Sequence, residues 1–91
     1  MILKWTSKAH GDLARLYEFL ARKSASAAAR AVRGLALAPK RLLTTPRIGE
    51  ALAEFEPREV RRILVGHYEI RYEIRGSTIF ILRVWHARED R

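Results

Sequence analysis

Proton-transfer chemistry near neutral pH would fall to three histidines, His10, His67 and His86, because the 91-residue chain contains no cysteine. His10 sits in a helical pattern and His67 in a turn, where both read as solvated. His86 is different. It closes the last apolar run beside Trp85, with Arg83 and Arg88 on either side. Neighbouring cations disfavour an imidazolium and leave a neutral imidazole able to serve as a general base. Arginines can hold a phosphate and the charge that develops on it. Arg62, Arg83, His86 and Arg88 therefore form the candidate catalytic set for cleavage of RNA. No glycine-rich phosphate loop, nucleophile elbow or metal-ligand spacing occurs, so neither cofactor nor metal is expected.

The elements that must position these side chains are short. "MILKWT" (1–6) is apolar and β-prone, and Ser7 after it is a suitable helix N-cap. From Lys8 to about Lys23, Ala9, Leu13, Leu16, Tyr17 and Leu20 make one apolar helical stripe. Ser24 or Ser26 can cap a second helix from about residue 25 through Ala28, Val32 and Leu35. Gly34 weakens it and Pro39 should end or kink it, with a last helical turn through Leu42 and Leu43. "TTPRIG" (44–49) reads as loop, and 50–58 as irregular or a single helical turn. Three β-segments follow, 59–66, 67–75 and 77–86, as a meander. The expected fold is α+β, in the order β-α-α-β-β-β. A helical hairpin packs on one face of a small antiparallel sheet, and the whole is one domain, 1–91.

"YEIRYEIR" (68–75) alternates without exception, so Tyr68, Ile70, Tyr72 and Ile74 share a dry face. A two-residue Gly66–His67 turn pairs Val65 with Tyr68 and Ile63 with Ile70. For the next hairpin, a two-residue loop would place Tyr72 opposite Ile81 and leave Arg83 on the core side. A three-residue loop buries Phe80, Leu82 and Val84 and sets Glu69 opposite Arg83 as a cross-strand ion pair. The second register is the expected one. Arg62, Arg71, Ile79, Ile81, Arg83 and Trp85 then lie on the uncovered face with Leu64, Glu69 and Glu73. Together with Arg88, those six are the candidate target- and partner-binding residues. The other possibility is that the tail or the loop 44–58 folds over this face.

The formal net charge of +8, at the top of the about 2–8 charges that solubility needs on a small domain, and a pI near 10.8 suggest an acidic partner. The absence of cysteine fits a reducing compartment. Lys4 interrupts the N-terminal apolar run and no run of about 18 apolar residues exists, so neither a signal peptide nor a membrane span is expected. The cytoplasm is the expected location.

Several pieces, in order, resemble the ParE/RelE superfamily of toxins from type II toxin–antitoxin systems. They are a first strand carrying Trp5, "AHGDLARLYEFL" (9–20), an alanine-rich helix, "PRIG" (46–49), "YEIRYEI" (68–74) and "ILRVWHARED" (81–90). The resemblance spans nearly the whole chain and implies the fold above and an acidic, partly disordered antitoxin. RelE-like members are mRNA interferases acting on the ribosome. Their catalytic arginine after the first tyrosine of the Y.I.Y strand corresponds here to Glu69. Two lysines of the preceding strand correspond to Val60 and Arg62, and the C-terminal catalytic tyrosine has no counterpart through Arg91. These departures imply the ParE branch, whose members resemble non-enzymatic inhibitors of DNA gyrase neutralised by a ParD-like antitoxin. The alternative is an interferase acting on ribosome-bound mRNA, with His86 as its base.

Overall fold

A computed structural model describes residues 1–88 of the chain. Strand β1 (Ile2–Trp5) leads into helices α1 (Ser7–Ala21) and α2 (Ala25–Leu37) and a 3₁₀ turn, Ala38–Leu43. A two-residue strand β2 (Glu50–Ala51) and a 3₁₀ turn (Ala53–Phe55) precede β3 (Glu59–Val65), β4 (Tyr68–Arg75) and β5 (Thr78–His86). The sheet order is β1-β5-β4-β3-β2. It is mixed rather than purely antiparallel, because β1 runs parallel to β5. No helix among the described residues is long and apolar enough to cross a membrane.

Thr6, not Ser7, caps α1. Its hydroxyl accepts from the Ala9 amide (3.1 Å) and lies 2.9 and 3.1 Å from the carbonyls of Ile81 and Leu82. One side chain thus starts the helix and fastens it to β5. Ser24 caps α2 through the Ala27 amide, 3.2 Å away. Pro39 falls at the start of the 3₁₀ turn, where its missing N–H costs nothing. Ala9, Leu16, Leu35 and Leu42 close over Ile63, Ile70, Tyr72, Ile74, Ile79, Ile81 and Val84 to form the core.

The first hairpin has the expected register, Val65 with Tyr68 and Ile63 with Ile70. The second does not. Arg75 pairs with Thr78 across a two-residue Gly76–Ser77 turn, Tyr72 faces Ile81, and a β-bulge at Leu82 then shifts the ladder so that Arg71 faces Arg83 and Ile70 faces Val84. Gly66 and Gly76 have φ of +60° and +58°, and no other described residue is positive, as a turn with glycine at its first central position requires. The bulge resolves the conflict that favoured a three-residue loop. It seats Ile79, Ile81 and Val84 in the core, at spacings of two and then three, and still turns Arg83 outward.

The loop before β2 is tied down by Tyr72. Its buried hydroxyl donates to the Pro46 carbonyl (2.7 Å) and accepts from the Gly49 amide (3.0 Å). Burial pushes the phenol pKa up despite the Gly49 amide. A Cβ on Gly49 would lie 2.6 Å from the Arg62 carbonyl and from the Tyr72 hydroxyl, so only glycine fits this crossing. Arg61 adds a bond to the Gly49 carbonyl (2.7 Å) and shares Glu59 with Arg47. Tyr72→Phe should therefore cost about 1–3 kcal/mol by orphaning two backbone groups. Hydrogen exchange should show faster exchange at the Gly49 amide than in the wild type, with the strand amides little changed.

Candidate functional site

Strand alternation and the bulge divide the candidate residues between two faces. On the outer face, away from the helices, cross-strand pairing builds three rows. These are Val60–Glu73–Phe80, Arg62–Arg71–Arg83 and Leu64–Glu69–Trp85. Three arginines side by side across three strands would repel one another, and carboxylates between them remove that cost. Glu69, 1% exposed, lies 3.4 Å from Arg62 and 3.2 Å from Arg71. Arg62 also binds Glu50 (2.8 Å). Glu73, 3% exposed, accepts two bonds from Arg58 at 2.8 and 3.1 Å, which hold its carboxyl below the usual range.

Arg71 and Arg83 both sit over Trp85, their guanidinium carbons 4.8 and 5.3 Å from its ring centroid. Phe55 closes on Arg71 from above at 5.2 Å. The 53–58 segment therefore does cover part of this face, through Phe55 and Arg58. Glu69 is not opposite Arg83, as the sequence led us to expect, but opposite Trp85. Ile79 and Ile81, expected to meet a partner, are fully buried beneath the helices. The outer face is an ion-paired, aromatic layer whose cations are largely neutralised.

Arg83 reaches around the edge of the sheet. Pairing of β1 with β5 ends at Trp5 and Ile81, which would leave the β5 edge beyond it without a neighbour. Asp12, buried in α1, takes that place. Its Oδ2 accepts from the Val84 amide (2.8 Å), and the carboxylate is bidentate to Arg83 at 2.8 and 3.0 Å. Burial opposes its ionisation, but these bonds and the charges of Arg83 and Arg15 outweigh it and hold its pKa down. The aspartate of "AHGDL" is thus a clip between helix and sheet.

His86 points to the other side. It pairs with Tyr68, whose ring meets it edge-on at 5.3 Å, and stacks with His67 at 6.0 Å. Its Nδ1 accepts from the Arg88 amide (3.1 Å). With Tyr68 it lines a depression of about 520 Å³ against α1, and Tyr68 also lines an adjoining one of about 500 Å³ between α1 and α2. Phe19 and Leu20 of α1 and Ala27 and Ala31 of α2 supply the apolar walls. Arg15, Arg22, Lys23 and Arg88, with Glu18 among them, form a mainly basic rim. Of the candidate catalytic set, His86 and Arg88 therefore border this groove, whereas Arg62 and Arg83 belong to the opposite face. The groove itself was missed in the sequence. Phe19, 62% exposed and off the apolar stripe of α1, was its one visible sign. No group of three or more metal-ligating side chains occurs among the described residues.

A sequence profile of the ParE toxin of the type II toxin–antitoxin system parDE matches residues 3–91. The chain belongs to the ParE toxin family. Among solved structures, the chromosomal ParDE toxin–antitoxin system from P. aeruginosa is similar, with 27% identity over 94% of this chain and 95% of that one and a TM-score of 0.80. No curated protein sequence matches. Within this ParE-type chain, the second and last pieces of the motif meet in space. Asp12 of "AHGDL" binds Arg83 of "ILRVWH", and Tyr72 of "YEIRYEI" binds the "PRIG" loop. Glu89 and Asp90 of the closing motif lie outside the described residues.

Proposed function

We propose that this ParE-family protein is a non-enzymatic inhibitor of DNA gyrase, held inactive by a cognate ParD-like antitoxin. The observation that supports this over RNA cleavage is the place of Glu69. The position where an interferase carries a catalytic arginine holds a buried carboxylate that neutralises Arg62 and Arg71. A phosphate approaching there would meet a carboxylate and two cations already engaged. The candidate base, His86, faces away from Arg62 and Arg83, so base and phosphate-holding groups do not converge on one reacting atom. Purified protein should block supercoiling by gyrase and leave ribosome-bound mRNA intact.

The groove suits the antitoxin. Apolar walls between basic rims match an acidic segment that orders on binding, whose ordering costs roughly 2–5 kcal/mol. Phe19 is the natural anchor, since it is large, aromatic and exposed before binding. Phe19→Asp should weaken antitoxin binding at least about 30-fold, the effect of losing a 2 kcal/mol anchor. Its melting temperature should stay near that of the wild type, because the side chain contributes little to the core. Calorimetric titration checks this, and unchanged affinity would place the antitoxin elsewhere.

A further inference from the structure

The net positive charge of this chain comes entirely from its first half. Residues 1–47 carry ten lysines and arginines against two carboxylates, whereas residues 48–91 carry eight against eight. Between Glu18 and Glu50 there is no carboxylate at all, and seven cations. Arg22 and Lys23 belong to the groove rim. Arg30, Arg33, Lys40 and Arg41 do something else.

They follow one another along α2 and the 3₁₀ turn that prolongs it, with exposed Leu37 between them. Spacings of three, seven and one keep them on one helical face. The buried positions of the same segment, Ala28, Leu35, Pro39 and Leu42, fall on the opposite face. The cations therefore project straight away from the core. All four are exposed, and none is in an ion pair among the described residues. The eleven steps from Arg30 to Arg41, at about 1.5 Å in α2 and slightly more in the 3₁₀ turn, make a line of at least about 16 Å.

We infer that this stripe is a binding surface for the backbone of double-stranded DNA. Its charge, length and chemistry all favour that occupant. A DNA strand presents a phosphate about every 3.4 Å of helix axis, so about five lie along 16 Å, facing four cations. The stripe carries no aromatic side chain on which bases of a single strand could stack. An acidic peptide that orders on binding needs large apolar anchors, and the stripe offers only Leu37 and, at its end, Leu43 among the described residues. Those anchors are in the groove. This surface thus leaves the antitoxin site free, and it stands whether or not gyrase is the target.

The test is fluorescence anisotropy of a 30-base-pair duplex of arbitrary sequence, titrated with the full chain at 50 and 200 mM salt. Four phosphate contacts predict roughly a 150-fold loss of affinity between these two conditions. The variant Arg30→Gln/Arg33→Gln/Lys40→Gln/Arg41→Gln should lose nearly all of this salt dependence and most of the affinity. Arg30→Gln/Arg33→Gln should lose about half of the slope, which guards against misfolding of the quadruple variant. The control Lys4→Gln/Lys8→Gln removes the same charge as the double stripe variant, away from both stripe and groove, and should retain the slope. Equal weakening of stripe and control variants would overturn the inference, because net charge alone would then govern binding. So would absence of binding at 50 mM salt. Tighter binding of polyglutamate than of the duplex at the stripe would also overturn it, in favour of an acidic protein partner.

Discussion

Glu69→Arg should leave this protein unfolded, or nearly so, at 37 °C. The substitution removes the carboxylate that separates Arg62 from Arg71 and puts a third guanidinium at a 1% exposed position beside them. Breaking a buried pair from one side costs about 3–5 kcal/mol before the added repulsion is counted. A domain of this size has only about 5–14 kcal/mol to lose. Had Glu69 paired with Arg83 on an open surface, the same change would have cost about 0.2–1 kcal/mol. Glu69→Gln, which keeps shape but not charge, should fold and lose roughly 3 kcal/mol. That corresponds to a melting temperature lower by about 12–24 °C. Circular dichroism with thermal and urea unfolding separates the cases, and a Glu69→Arg protein of near-normal stability would refute the buried-carboxylate description.

Asp12→Ala should be the second large loss, about 3 kcal/mol. Arg83 is partly exposed and can turn to water, which places the pair at the low end of the buried range. The Val84 amide cannot, and it loses its acceptor at the unpaired edge of β5. The effect should depend on pH with a definite sign. The Asp12 carboxyl is held below its ordinary value of 3.8 in the folded state. Its contribution is therefore complete above about pH 4 and disappears as pH falls through the lower folded value. Urea midpoints at pH 7, 4 and 3 should show wild type and Asp12→Ala far apart at pH 7. They should converge toward pH 3, as wild type loses what the variant never had. A constant gap would mean that Asp12 acts through packing rather than charge.

The residues differ in how plainly they announced their places. The helices were legible because Ala9, Leu13, Leu16 and Leu20 repeat with the helical period and Ser24 and Pro39 mark ends. Strand β4 was legible because its alternation is perfect. Strand β5 was not, since Ile79 and Ile81 compete with Phe80 and Leu82 for the same core positions, and a bulge satisfies only one set. Uniform alternation has no means to express an inserted residue, so Ile79 and Ile81 were placed on the wrong face. The clip was hidden for a different reason. Asp12 and Arg83 lie 71 residues apart, and no local pattern reveals that the end of β1 leaves an edge in need of an acceptor. The groove arises only when α1, α2 and the ends of β4 and β5 meet, so it too belongs to tertiary structure.

The reading as a gyrase inhibitor rests on a division of surfaces. In that reading, arginines of the sheet stabilise the fold, and activity would require no proton-transfer group. The most direct measurement is supercoiling of relaxed plasmid by purified gyrase, titrated with the wild-type protein and with His86→Ala, each confirmed as folded. Both should inhibit, at concentrations within a few-fold of one another, because removal of a histidine that takes no part in proton transfer removes only local contacts. A nuclease would instead lose about 10²–10⁴ in rate without its base. Full supercoiling at saturating wild-type protein, together with cleavage of ribosome-bound mRNA that His86→Ala abolishes, would contradict the account.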